Sequence, residues 1–153
     1  MKLLLTNPNF YGIVEDPSLS LCFLGTYIKD HSDWEVEIIE PILQEVTEEQ
    51  LLFKVKESDV LGLTCYTESR FQVFDFANKA KKINPNCKIV VGGPHIYTLN
   101  KAVLRHYPFI DFVVRGEGEE TIFDIIRGKP ADQILGLTWR KKTGKSFRIP
   151  IDL

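Results

Sequence analysis

The chain lacks the features that would place it in a membrane, in an oxidising compartment or on nucleic acid. No apolar stretch approaches the roughly 20 residues that a spanning helix needs, and the apolar start at residues 1–6 is too short for a signal-peptide core. Three cysteines, an odd number at wide spacings, favour neither a disulfide framework nor a zinc site. The net charge of −2 comes with no long basic run. The sequence therefore favours a cytoplasmic protein with no membrane span and no nucleic-acid partner.

Motifs for several common ligands are missing as well. Neither a GxGxxG nor a Walker phosphate loop follows any apolar run, which weighs against dinucleotide and nucleoside triphosphate binding. Asn7 and Asn9 stand where a response-regulator receiver needs acids, and the same loop lacks the hydroxyls of a flavodoxin phosphate loop. The three histidines lie far apart in the sequence, so no protein-ligated metal site is predicted. No set of catalytic residues is predicted either.

What the chain does contain is a regular alternation of short apolar runs and helical patterns. Its 153 residues, 44% hydrophobic and 26% charged, fit one globular domain. Thr47 and Gln50 form the sequence pattern of a capping box at one predicted helix start. The predicted strands cover residues 3–6, 36–39, 60–64, 88–91 and 112–115. This alternation predicts an α/β, doubly wound, flavodoxin-like sheet of five parallel strands in the order 2-1-3-4-5.

The end of the chain follows a different pattern. Residues 137–140 and 147–149 flank a glycine-containing turn at 142–145, which predicts a C-terminal β-hairpin. We expect residues 1–135 to form the Rossmann-like domain and residues 136–153 to form the hairpin or a linker.

Ligands of such sheets usually bind beyond the carboxyl ends of the strands, at the switch point between the first and third strands. The paired Gly92 and Gly93 would let a ligand approach the backbone, or they would serve only the geometry of a tight strand exit. Thr64 and Thr67 could face a ligand, although Thr67 could equally cap the following helix. Glu117 could hold its carboxylate at a cleft or simply suit the positive end of a helix dipole.

Three segments taken together resemble a known family. They are IVVGGPH at residues 89–95, IDFVVRGEGE at 110–119 and ILGLTWR at 134–140, and residues 17–19 and 59–64 also fit. The combination, in this order, resembles the N-terminal cobalamin (vitamin B12)-binding domain of cobalamin-dependent radical S-adenosylmethionine (SAM) enzymes. The resemblance covers nearly the whole chain, and the combination is more specific than any single segment.

The resemblance implies cobalamin as the cofactor, with its nucleotide tail in the carboxyl-edge cleft and its corrin ring over the loops. Residues 64–67 and 92–93 would line the tail, residues 7–11 would lie near the lower corrin face, and residues 116–117 would flank the opening. The implied cofactor-binding residues are Asn7, Pro8, Asn9, Phe10, Tyr11, Thr64, Cys65, Tyr66, Thr67, Gly92, Gly93, Pro94, His95, Gly116 and Glu117.

The loop at residues 7–12 contains no histidine, whereas other cobalamin domains carry DxHxxG there. The resemblance therefore implies a base-off cobalamin without a histidine lower ligand. The only metal it brings to this domain is the cobalt of the cofactor.

The catalytic core of the family needs a CxxxCxxC run for a [4Fe-4S] cluster, and this sequence has none. We expect the chain not to be a complete enzyme, but a fragment cut at a domain boundary of a methyltransferase-type protein. Its partner would be the radical SAM core of the parent, which would hold the cluster and S-adenosylmethionine. Two alternatives remain open: a cofactor-free docking or substrate-channel module, and a small nucleotide or sugar-nucleotide enzyme of the same architecture.

Overall fold

The computed structural model describes residues 1–11, 16–143 and 146–148. Its strands are β1 (Lys2–Thr6), β2 (Glu35–Ile39), β3 (Val60–Thr64), β4 (Lys88–Gly92), β5 (Phe112–Val114), β6 (Leu137–Trp139), β7 (Lys141–Thr143) and β8 (Ser146–Arg148). Its helices are α1 (Leu19–His31), α2 (Glu48–Lys56), α3 (Arg70–Ile83), α4 (Asn100–His106) and α5 (Gly118–Ile126), with a 3-10 turn at Ala131–Gln133. Along these described residues, no helix has both the length and the apolar character that crossing a bilayer requires.

The main sheet has the order β2-β1-β3-β4-β5-β6. Strands β1 to β5 are parallel, so the predicted doubly wound fold and the order of its first five strands are confirmed. A strand at residues 137–140 was predicted, but its assignment to the C-terminal hairpin was wrong, because it forms the sixth strand of the main sheet. Residues Leu137–Trp139 pair antiparallel with β5, with Leu137 opposite Val114, instead of pairing with the last residues of the chain.

A turn at Gly136 explains why β6 joins the main sheet. Gly136 has a φ of +73° and its carbonyl accepts a 2.8 Å hydrogen bond from the Arg115 amide, which brings the chain back alongside β5. Leu137 is then buried in the apolar layer beneath α1 and α5. The hairpin is formed instead by β7 and β8, with Lys141 opposite Arg148. The predicted hairpin turn at 144–145 and its last residue, Ile149, lie outside the described residues.

Two apolar layers cover the sheet, because successive residues of a strand point to opposite faces. Leu4, Leu61 and Val91 face α2, α3 and α4, and Phe76 lies at the centre of that layer. The other face is covered by α1 and α5 and carries the side chains Leu3, Leu5, Val60, Val90 and Val114. The capping box predicted for α2 is confirmed: the Thr47 hydroxyl accepts from the Gln50 amide, and the Gln50 side chain accepts from the Thr47 amide.

The loops after β3 and β4 cross at the carboxyl edge of the sheet. The Cys65 amide donates to the Gly92 carbonyl at 2.9 Å, and the His95 amide donates to the Cys65 carbonyl at 3.2 Å. Gly93 sits at this crossing with a φ of +100°. A Cβ atom there would lie 2.8 Å from the backbone nitrogen and oxygen of Cys65. The crossing therefore requires glycine at position 93 for steric as well as conformational reasons.

We predict that Gly93→Ala destabilises the fold more than Gly128→Ala. Gly128 has a similar φ of +74°, but an added Cβ would meet nothing within 4 Å. Both variants should carry a left-handed backbone strain of about 1–2 kcal/mol. Gly93→Ala adds a clash with backbone atoms, worth about a further 1–3 kcal/mol. Urea unfolding of the two variants measures the difference, and equal losses would show that the crossing is not tight.

We also predict that one of the three thiols reacts rapidly in the folded protein. Cys65 and Cys87 are buried, and burial raises the pKa of each thiol to about 12, whereas Cys22 is half-buried. The folded state keeps both buried thiols protonated, so the free energy of unfolding should fall as the pH rises above the ordinary thiol pKa of about 8.5.

The reactivity of the thiols tests their burial. Ellman's reagent at pH 8 should modify Cys22 first and the other two only on unfolding. Loss of the fast phase in Cys22→Ser is the control, and rapid reaction of all three in the native protein would contradict the burial.

Candidate functional site

A cavity of about 570 Å³ opens at the carboxyl edge, between the sheet and the amino-terminal turns of α1 and α5. We call it the α1–α5 cleft. The sheet forms its floor, through Leu5, Gly62, Val90, Gly92 and Val114. Two helices form its walls, α1 through Ser20, Leu21 and Leu24, and α5 through Gly118, Glu119 and Ile122. The strand ends and loops form its mouth, through Leu63, Thr64, Tyr66, Gly93, Pro94, Tyr97, Gly116 and Glu117. A volume of this size is typical of sites for small molecules and cofactors.

The depth of the cleft comes from two glycines on neighbouring strands. Gly62 of β3 and Gly92 of β4 point to the same face of the sheet, between α1 and α5. A Cβ atom at Gly92 would meet its nearest neighbour, Val114, at 3.8 Å, so a side chain fits here without a clash. A Cβ atom at Gly62 would lie 2.6 Å from Leu5 Cδ2. The paired glycines of the sequence therefore separate into two roles, Gly93 serving the loop crossing and Gly92 leaving the floor of the cleft open.

The mouth of the cleft is polar, in contrast to its interior. Thr64 is buried at the end of β3, Tyr66 is half-buried, and Glu117 is exposed at the amino-terminal cap of α5. Glu119 follows in the first turn of α5, where carboxylates suit the positive end of the helix dipole. The neighbouring Arg115 is turned towards β6, and its Nε donates to the Thr138 hydroxyl at 3.0 Å. The cleft thus has an apolar interior with hydroxyl and carboxylate groups at its opening.

Three further predicted residues lie at the same edge but do not line the cleft. The Thr67 hydroxyl and His95 Nδ1 are 3.2 Å apart and link the β3–α3 and β4–α4 loops. The Arg70 guanidinium donates to the Thr67 carbonyl. The Cys65 side chain belongs to the apolar layer beneath α3, on the opposite face of the sheet.

The loop after β1 packs over α3 instead of over the cleft. The Phe10 amide donates to Gln72 Oε1 at 2.9 Å, and the Phe10 ring lies 6.1 Å from that of Phe76. Gln72 also donates to Asn9 Oδ1 at 3.3 Å. Phe10 and Tyr11 line a second cavity of about 530 Å³, bounded by α2 and α3. Pro8 is buried, and Tyr11 is 78% exposed.

Two polar atoms at the end of β1 are notable. Within the described part of the chain, Thr6 Oγ1 and Asn7 Oδ1 are buried without a hydrogen-bond partner. Buried polar atoms usually have a protein or water partner, so such pairs mark places where a ligand or solvent contributes. They lie at the switch point between β1 and β3, the position where ligands of this architecture are expected.

Sequence reasoning missed the walls of the cleft and part of its floor. Ser20, Leu21 and Ile122 lie on helices, where apolar periodicity indicates only a buried face. Gly62 carried a usable signal, because a glycine inside an apolar strand often marks a close backbone approach. Among the described residues, no group of three or more His, Cys, Asp or Glu side chains is placed to hold a metal ion.

Comparison with known proteins agrees with this geometry. The family model described as the B12 binding domain matches residues 14–126. An uncharacterized methyltransferase of Pyrococcus horikoshii is 32% identical over 95% of this chain and 34% of its own length. A cobalamin-dependent radical SAM methyltransferase of Streptomyces tokunonensis is 27% identical over 80% of this chain and 19% of its own length.

The fold is also found in a solved structure. The radical SAM methyltransferase TsrM from Kitasatospora setae, with cobalamin and a [4Fe-4S] cluster bound, matches with a TM-score of 0.75 and 21% identity. That match covers 97% of this chain and 30% of TsrM. The chain spans about a third or less of the length of these relatives. The family resemblance stated from the sequence is confirmed, and the chain belongs to the B12-binding domain family.

Proposed function

We propose that this domain holds cobalamin with the nucleotide tail in the α1–α5 cleft and the corrin ring over the carboxyl edge of the sheet. We further propose that it does so for a radical SAM core, in a protein of the methyltransferase type. The observation that carries the assignment is the apolar slot between the sheet and two helices, with Gly62 and Gly92 in its floor. The names of the relatives support the class of parent protein.

The change from an apolar floor to a polar mouth matches the change from an apolar base to a polar ribose and phosphate along such a tail. The lower base is a flat, largely apolar ring, which suits the buried aliphatic floor. The ribose and phosphate are polar and would lie at the mouth, near Thr64, Tyr66 and the loop at Gly116. Bound cobalamin supplies methyl-transfer chemistry at cobalt, while the protein binds and orients the cofactor. Thr64 and Tyr66 are well suited to orientation because the crossing at Gly93 fixes the loop that carries them.

The loop after β1 determines the proposed state of the lower corrin face. Residues 7–12 contain no histidine, so no imidazole from this loop can replace the base that leaves cobalt for the cleft. His95 lies at the same edge on a different loop, the one after β4, where its Nδ1 is 3.2 Å from the Thr67 hydroxyl. We infer that cobalamin is held base-off without a histidine ligand.

Electron paramagnetic resonance of the bound cob(II)alamin tests this inference. A nitrogen ligand on the lower face splits the cobalt lines into triplets, whereas an oxygen ligand or an open face does not. We expect no triplet splitting in the wild-type protein and an unchanged spectrum in His95→Ala. Triplets that disappear in His95→Ala would identify a histidine ligand and contradict the proposal.

Filling the floor of the cleft tests where the tail lies. Gly92→Val adds bulk where a Cβ atom would meet nothing closer than 3.8 Å, so we expect the free energy of unfolding to change little. Overfilling a binding slot should weaken cobalamin binding by about 1–3 kcal/mol, roughly 5- to 150-fold in the dissociation constant. Calorimetric titration with hydroxocobalamin measures the loss.

The matched control adds bulk to the second cavity. Val46 lines that cavity, and Val46→Phe should leave cobalamin affinity unchanged. If Val46→Phe weakens binding and Gly92→Val leaves it intact, the tail lies on the α2–α3 side and the proposed position is wrong.

A further inference from the structure

We propose, resting on the function proposed above, that the α1–α5 cleft selects cobamides by their lower base. It accepts cobamides with an apolar base, such as 5,6-dimethylbenzimidazole or a phenol, and discriminates against purine bases such as adenine. The chemical basis is an inner cleft whose side chains offer neither donors nor acceptors to the edge of a purine.

The inner lining is aliphatic. The side chains that close the inner end are Leu5, Leu21, Val90, Val114 and Ile122, each no more than 6% exposed. None of them carries a nitrogen or an oxygen atom. Among the described residues of the lining, Thr64 is the buried one with a polar side chain, and it lies at the outer end of its strand.

The backbone N–H and C=O groups of the floor are directed at the neighbouring strands of the sheet. Gly62 is in register with Leu5 on one side and with Val90 on the other, and Val90 is in register with Phe112. The N–H and C=O groups of parallel strands point along the sheet towards neighbouring strands, not out of its faces. Gly62 therefore contributes its Cα atom to the floor without freeing hydrogen-bonding groups.

A purine would lose hydrogen bonds in such a slot. Adenine has an exocyclic amine and ring nitrogens that water satisfies and this floor cannot, whereas dimethylbenzimidazole presents two methyl groups and a single free nitrogen. Apolar pockets that must reject a polar analogue of similar shape do so by about 10- to 100-fold. We expect a preference of that size for cobalamin over adeninylcobamide.

The strength of cobalt coordination favours adeninylcobamide over cobalamin. A measured preference for cobalamin would therefore have to come from the cleft. Benzimidazole is a stronger ligand for cobalt than adenine, so removing the base from cobalt costs more for cobalamin than for adeninylcobamide. A protein indifferent to the base would then bind adeninylcobamide more tightly. A phenolic base cannot coordinate cobalt at all, so cresolylcobamide reports the fit to the cleft without that cost.

Calorimetric titration of the 153-residue chain with four corrinoids tests the proposal. They are cobalamin, cresolylcobamide, adeninylcobamide and cobinamide, which lacks the nucleotide. We expect cobalamin and cresolylcobamide to bind about 10- to 100-fold more tightly than adeninylcobamide. Adeninylcobamide binding more tightly than cobalamin, or as tightly as cresolylcobamide, would overturn the selectivity and leave cobalamin binding intact. Cobinamide binding as tightly as cresolylcobamide would overturn it by showing that the tail contributes nothing, because neither corrinoid has a base to remove from cobalt. Failure of every corrinoid to bind would overturn the proposed function itself.

A pair of isosteric variants assigns the selectivity to the cleft. Val114→Thr places a hydroxyl in the inner lining, and Val113→Thr places the same group in the apolar layer on the opposite face of the sheet. We expect Val114→Thr to reduce the ratio of the two dissociation constants several-fold, and Val113→Thr to leave the ratio unchanged even though it lowers stability. An unchanged ratio in Val114→Thr, or equal shifts in the two variants, would contradict the assignment.

Discussion

The cleft depends on two glycines, Gly62 and Gly92, that lie on neighbouring strands and on the same face of an otherwise tightly packed sheet. On that face of β1, β3 and β4, Leu3, Leu5, Val60 and Val90 fill the space beneath the helices, and Thr64 follows at the mouth. Gly92 adds no side chain, and at Gly62 the space is occupied by Leu5 Cδ2. Further along α1 the helix lies close to the sheet, since a Cβ at Gly25 would be 2.7 Å from Ile38 Cδ1. One end of the helical layer is therefore closed, while the carboxyl edge is left hollow.

The rigidity of the mouth has a separate origin from the depth of the floor. Gly93 lets the loops after β3 and β4 approach to backbone contact, and the bond between Thr67 and His95 links them again at the rim. Thr64 and Tyr66 are consequently held by the sheet below and the crossing above. A site whose polar groups are fixed before binding loses little conformational entropy when a ligand is bound, which suits a domain whose function is to hold a cofactor in one orientation.

The sequence was sufficient for the fold because buried parallel strands are recognisable as short apolar runs separated by helical periodicity. It was not sufficient for β6. Whether Leu137–Trp139 pairs with β5 or with the end of the chain depends on the turn at Gly136, and three-residue strands carry too little periodicity to decide. For the site, loop positions predicted Thr64, Tyr66, Gly92 and Glu117, which the structure brings together around one cleft, while their contact with a cofactor stays a prediction. The walls on α1 and α5 were not identifiable, because a helix residue facing a cleft has the same pattern as one facing a core. The assignment of residues 7–11 to the lower corrin face stays a prediction.

The most direct test of the central claim is amide hydrogen exchange with and without hydroxocobalamin. The α1–α5 cleft and the second cavity over α2 and α3 open at the same edge but are bordered by different loops. If the tail enters the α1–α5 cleft, slowed exchange should be concentrated at residues 64–67, 93–97 and 115–119, with residues 41–48 unchanged. Slowed exchange concentrated at residues 41–48, with no change at the borders of the α1–α5 cleft, would contradict the claim.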